Sequence, residues 1–93
     1  MTAEERRRFR VSGRVQGVGF RYWTLRTATG LGLRGTVRNA TDGTVEVEAA
    51  GLASALDRLR DALLEGPGHA HVHRVSDEPA GSHPLPGEFT ISR

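Results

Sequence analysis

At 93 residues the chain holds one domain with a modest core and has no room for a second catalytic domain or a large cofactor site. Its 13 basic and 11 acidic residues leave a formal charge of +2, and no cysteine is present, which excludes disulfides, thiolate catalysis and cysteine-based metal sites. No apolar run reaches the roughly 18 residues of a membrane span, and the N-terminus lacks the apolar h-region of a secretory signal. These features lead us to expect a cytoplasmic protein. All 13 basic residues are arginine; this keeps the isoelectric point high and is read as genome composition rather than as the mark of a partner.

Residues 1 to 6 read as a flexible tail, with the domain over 7–93. Residues 7–14 alternate around Phe9, Val11 and Gly13, the pattern of a half-buried strand. A loop follows over 15–20. Residues 21–31 read as a helix, with Phe20, Thr24, Ala28 and Leu31 on one face; its threonines and Gly30 make it weak by propensity. Gly32 suits a left-handed C-cap. Residues 33–39 and 44–50 read as strands, with Asp42-Gly43 as the turn signal between them. After Gly51 comes an amphipathic helix, with Leu52, Ala55, Leu56, Leu59, Ala62 and Leu63 on one stripe. Gly66-Pro67-Gly68 ends it. Residues 69–76 read as a fourth strand, Pro79 to Gly87 as a loop, and Phe89 and Ile91 mark a short final strand.

The order β-α-β-β-α-β with a short extra strand fits an α+β, ferredoxin-like two-layer sandwich: an antiparallel sheet with two helices on one face. In that topology the first and second strands run the same way. The loop after the first and the turn after the second then share one end of the sheet. Arg21 and Asn39, distant in sequence, become neighbours in space.

The loop itself, Gly13-Arg14-Val15-Gln16-Gly17-Val18-Gly19-Phe20-Arg21, carries the chemistry. Gly17 and Gly19 permit positive φ and close approach of a ligand. Successive amides in such a turn can form an anion nest, and the following helix aims its free N–H groups at the same spot. Arg21 adds a fork of donors suited to phosphate or carboxylate. The loop is no Walker loop, since the chain has no lysine. It is no dinucleotide fingerprint either, because Tyr22 stands where the last glycine belongs. A plainer reading, in which both glycines only make a tight strand-to-helix turn, stays open from the loop alone.

These residues resemble the acylphosphatase family over about residues 7 to 93. The loop is the first motif. Gly35-Thr36-Val37-Arg38-Asn39, continued by Asp42-Gly43-Thr44-Val45 and Gly51, is the second. Gly66-Pro67, Ala70, Val72, Phe89 and Ile91 follow in order. The resemblance implies hydrolysis of acyl phosphates to carboxylate and inorganic phosphate, with phosphate as product and inhibitor. It implies that Arg21 and the amides of Val15, Gln16, Gly17, Val18, Gly19 and Phe20 bind the phosphoryl group. It implies that Asn39 positions the attacking water, and that no metal or cofactor takes part. Thr36 departs from the family, where this position is usually aromatic; altered packing beside the site rather than altered chemistry is the expectation, with weaker positioning of Asn39 as the alternative. Gly30 and the Pro-rich loop depart as well.

The inventory fits the reaction. A mixed anhydride leaves as a carboxylate, so no general acid is required. What remains is holding charge on the phosphoryl oxygens and placing water.

Other readings of the same residues stand beside this one. Arg6-Arg7-Arg8 with Arg10 is a basic cluster that could touch nucleic acid; such runs are more often the solvated face of a strand. RNA-binding domains of this topology stack bases on aromatics in the central strands, and strand 44–50 has none. A catalytically idle phosphate-binding domain is a second alternative. His69, His71 and His73 share one strand face, either as an adventitious Zn or Ni site or as a plain solvated face. The sequence is silent on the physiological acyl group, and a monomer is the default expectation.

Overall fold

In the computed structural model, which describes residues 4–92, the chain runs β1 (Glu5–Arg14), α1 (Phe20–Gly30), β2 (Arg34–Asn39), β3 (Val45–Gly51), α2 (Ala53–Glu65), β4 (His71–Glu78) and β5 (Phe89–Ile91). The strands form one sheet in the order β4-β1-β3-β2-β5. β3 pairs antiparallel with both β1 and β2, so β1 and β2 run the same way, as the topology required. β4 adds to β1 antiparallel. β5 lies parallel to β2, so the sheet is mixed rather than antiparallel throughout. The Pro-rich segment after β4 carries the chain from one sheet edge to the other, and β5 then enters alongside β2 in the same direction.

The two helices pack on the sheet and enclose the core. The strands contribute Phe9, Val11, Val37, Val45, Val47, Ala49, Val75 and Phe89, α1 contributes Phe20, Thr24 and Ala28, and α2 contributes Ala55, Leu56, Leu59 and Leu63. Burying each α2 leucine is worth about 1.5–3 kcal/mol, while α1, weak by propensity, is held by the burial of Phe20, Thr24 and Ala28. Thr24 is tolerated inside because its hydroxyl donates to the Phe20 carbonyl at 2.8 Å. Gly32, just past the Leu31 cap of α1, is left-handed with a φ of 73°. Gly32 N–H reaches Thr29 O at 3.0 Å and Leu33 N–H reaches Ala28 O at 3.0 Å, the paired closure of a Schellman cap. Among the described residues no helix is long and apolar enough to cross a membrane.

Several boundaries differ from the sequence expectation. β1 begins at Glu5, so residues 5 and 6 of the expected tail belong to the sheet; residues 1–3 lie outside the described residues. Gly30 is the last residue of α1 rather than an interior one, and it is exposed. Leu52 is not on the buried stripe: it is the extended N-cap of α2 and 48% exposed. β4 runs over 71–78, with a bulge where Ser12 pairs with Arg74 but Gly13 pairs with Val72. The skipped residue, His73, resets the alternation, so the inward positions Val72 and Val75 stand three apart.

The sheet's other face carries charge. Arg6 Nε meets Glu48 Oε2 at 2.8 Å, Arg8 lies 3.6 Å from the same carboxylate, and Arg10 contacts Glu78 at 2.9 Å and Glu46 at 3.0 Å. Arg7, on the alternate face, meets Asp57 at 2.7 Å. The Pro-rich segment lies across this network. Gly81 N–H donates to Glu48 Oε2 at 2.7 Å, and Arg34 donates to the carbonyls of Leu85 and Pro86. Glu48 is thereby only 3% exposed. Each arginine of the basic run thus has a carboxylate partner, and the electrostatic footprint expected of a nucleic-acid surface is largely neutralised.

Candidate active site

The loop between β1 and α1 and the hairpin between β2 and β3 meet at one end of the sheet. Gln16 fastens them: its amide nitrogen donates to Ala40 O at 2.8 Å and to Thr44 O at 2.9 Å. The hairpin itself closes with Gly43 N–H on Ala40 O at 3.2 Å and a left-handed Gly43, φ 91°. Asp42 Oδ1 accepts from Thr44 N–H at 3.0 Å. Asn39 ends β2 at the mouth of this hairpin.

Gly17 and Gly19 both have left-handed φ, 75° and 79°. A Cβ at either would meet no protein atom within 4 Å. Glycine here therefore serves conformation and leaves open space above the backbone. Gly13 differs: a Cβ there would fall 2.1 Å from His71 O, so its glycine lets β1 and the bulged β4 approach. Gly19 caps α1 without a side-chain bond, and the first turn has no acidic residue. The first helical bond is Trp23 N–H to Gly19 O at 3.1 Å, so the amides of Phe20, Arg21 and Tyr22 precede the helical ladder. Their partial positive charge has no acidic side chain in that turn to offset it.

A hollow of about 330 Å³ opens over this backbone, lined by Val15, Gly17, Gly19, Phe20, Arg21, Tyr22, Asn39 and Ile91. Arg21 is half-buried, and among the described residues it has neither a carboxylate nor a hydrogen-bond partner. Asn39 Oδ1 is buried and also lacks a hydrogen-bond partner among them. A half-turn about the last torsion exchanges the oxygen and nitrogen of Asn39. With no partner to lose at Oδ1, the carboxamide is free to present either. An unpaired fork of donors and an unpaired amide over bare backbone N–H groups suit an anion with a water beside it.

The structure brings together Arg21 and Asn39, 18 positions apart, with Val15, Gly17, Gly19 and Phe20. It does not bring the side chains of Gln16 or Val18 into the hollow: Gln16 is the fastener, and Val18 packs against the core. Thr36 lies elsewhere. Buried positions in β2 alternate through Gly35 and Val37, and Asn39 continues that face; Thr36 is on the other, paired with Glu48 and Thr90. It is on the sheet's charged outer face rather than on the face that Asn39 continues. Sequence reasoning missed Tyr22 and Ile91. Tyr22 follows Arg21 directly and could have been suspected. Ile91 is placed by the parallel β2–β5 pairing, for which the sequence held no signal. His69, His71 and His73 are exposed, and among the described residues no group of three or more His, Asp or Glu is arranged to hold a metal.

The acylphosphatase family model matches residues 7–91. An acylphosphatase of Nitratidesulfovibrio vulgaris is 53% identical over 88 residues, covering 92% of this chain and 88% of that protein. One of Halorhodospira halophila is 48% identical over 90 residues, 97% of each chain. The crystal structure of acylphosphatase from Bacillus subtilis superposes with a TM-score of 0.88 at 35% identity, over 98% of this chain and 100% of that one.

Proposed function

The chain belongs to the acylphosphatase family of acyl-phosphate hydrolases, and on that premise we propose how its residues divide the work. Arg21 and the loop amides of residues 15–20 hold the phosphoryl group, and Asn39 orients the attacking water. The observation that carries this reading is the meeting of Arg21 and Asn39 in one hollow above Gly17 and Gly19.

The amides and the Arg21 guanidinium hold the phosphoryl oxygens, where charge persists through the transition state. The carboxamide oxygen of Asn39, turned toward the hollow, accepts a hydrogen bond from water and aims a lone pair at phosphorus. The P–O bond to the acyl group breaks as the water–phosphorus bond forms. The leaving carboxylate needs no proton, and the water's proton passes to phosphate or solvent. No side chain has to act as general acid.

The same reading takes the protein as a cytoplasmic monomer that works without a metal, with inorganic phosphate as a competitive inhibitor. Titration with phosphate, followed by calorimetry in wild type and Arg21→Gln, tests the cradle. Binding in the wild type that weakens by about tenfold or more without Arg21 supports it. Equal binding in both would place phosphate elsewhere.

A further inference from the structure

A second hollow, of about 470 Å³, is lined by Gly19, Tyr22, Trp23, Arg26 and Thr27. It shares Gly19 and Tyr22 with the first and none of Asn39, Ile91 or Val15. Its residues recur at spacings of three and four, one stripe along α1. The two hollows therefore border one another at Gly19 and Tyr22, and the second extends along α1 away from Asn39.

In-line displacement puts the leaving group opposite the attacking water. With water at Asn39, the acyl group leaves on the far side of the phosphoryl group and enters this stripe. An acetyl group would fill little of it. Tyr22 is 60% exposed, and the Arg26 guanidinium lies over its ring, 5.9 Å from the centroid. At an exposed site that contact is weak, but it favours this placement of the fork. Among the described residues Arg26 has no carboxylate partner. Arg14, Arg21, Arg58 and Arg74 lack one too, but only Arg26 among these five both lies over an aromatic ring and lines the second hollow. Arg26 is thus the oriented and unpaired guanidinium at the end of the path the acyl group takes. One helical turn, about 5.4 Å, separates it from the level of Tyr22, a gap that a short acyl chain spans.

We propose that the stripe Tyr22–Arg26 is an acyl-group subsite, and that it selects acyl phosphates whose acyl chain ends in a second carboxylate, held by Arg26. The proposal rests on the reading that Arg21 and Asn39 place phosphate and water. Arg26 is a specificity residue in it: it touches the leaving group and not the reacting atoms.

The test compares succinyl phosphate with butyryl phosphate, which has the same chain length but a methyl in place of the terminal carboxylate. Wild type is expected to favour succinyl phosphate in kcat/KM by about tenfold, as for one charge-assisted contact. In Arg26→Gln the ratio falls to near one; in Arg26→Lys part of it survives. A variant that merely loosens α1 would lower both substrates together and leave the ratio unmoved. The same ratio in wild type and Arg26→Gln, or no preference in wild type, would overturn the subsite. Failure of wild type to hydrolyse either acyl phosphate would instead count against the reading of the Arg21–Asn39 site.

Discussion

Replacing Gly19 with alanine separates backbone strain from loss of the cradle. Gly19 has φ 79° and ψ 15°. A residue with a Cβ costs about 1–2 kcal/mol there. Alanine also restricts the unfolded chain and returns about 0.4–1 kcal/mol. The net loss is about 1 kcal/mol, or about 4–8 °C of Tm for a domain of this size. The new methyl meets no protein atom within 4 Å, so no clash adds to this figure. It does meet the space above the loop, where the phosphoryl group is proposed to sit. A displacement of about 1 Å at a reacting centre can cost about a hundredfold. Gly32→Ala is the matched control: φ is 73°, its Cβ position is equally open, and it lies at the other end of α1. Thermal melts and acetyl phosphate hydrolysis should show similar Tm losses in the two variants, with kcat/KM down by about a hundredfold in Gly19→Ala alone. Equal activity in both would refute the cradle.

Gln16→Ala removes two bonds to hairpin carbonyls; a stability loss of about 1–3 kcal/mol is expected, with kcat/KM falling as Asn39 loses register, and denaturant melts beside kinetics will show it. At Glu48, burial works to raise the pKa, but the Arg6 hydrogen bond and the Gly81 N–H outweigh it and hold the carboxyl below its ordinary 4.5. Its contribution to stability is therefore complete above pH 4.5 and is lost as the pH falls through the lower folded value. Glu48→Gln should lower Tm at pH 7 and flatten its fall in acid; an unchanged acid limb would assign that limb to other carboxylates. Hydrolysis should be indifferent to EDTA, and activity lost to chelation and restored by Mg or Zn would sink the metal-free mechanism.

What the sequence conveyed well were features written in local spacing. The alternation of Phe9 and Val11, the α2 stripe from Ala55 to Leu63 and the glycines at 17 and 19 each state their structure within a few residues. Arg21 and Asn39 came together only through topology, because a β-α-β order fixes which strand ends share an edge. Features that depend on distant pairing were hidden. The three residues of β5 are too few to encode a direction, so neither the mixed sheet nor Ile91 in the site could be read. The bulge at His73 depends on how β4 docks against Gly13. Glu48 sits in a clean alternation that reads as solvated, and only the Pro-rich segment crossing the sheet buries it. Gln16 looked like one more loop amide, and its role appears once the carbonyls of Ala40 and Thr44 lie within reach.

The most direct measurement is the hydrolysis of benzoyl phosphate, followed by ultraviolet absorbance, in wild type, Arg21→Gln and Asn39→Ala, with folding checked by circular dichroism. Rapid turnover in wild type, lost by about a hundredfold or more in both folded variants, is the predicted result. Turnover that survives intact in either folded variant would contradict the assignment of that residue, and with it the account of the site.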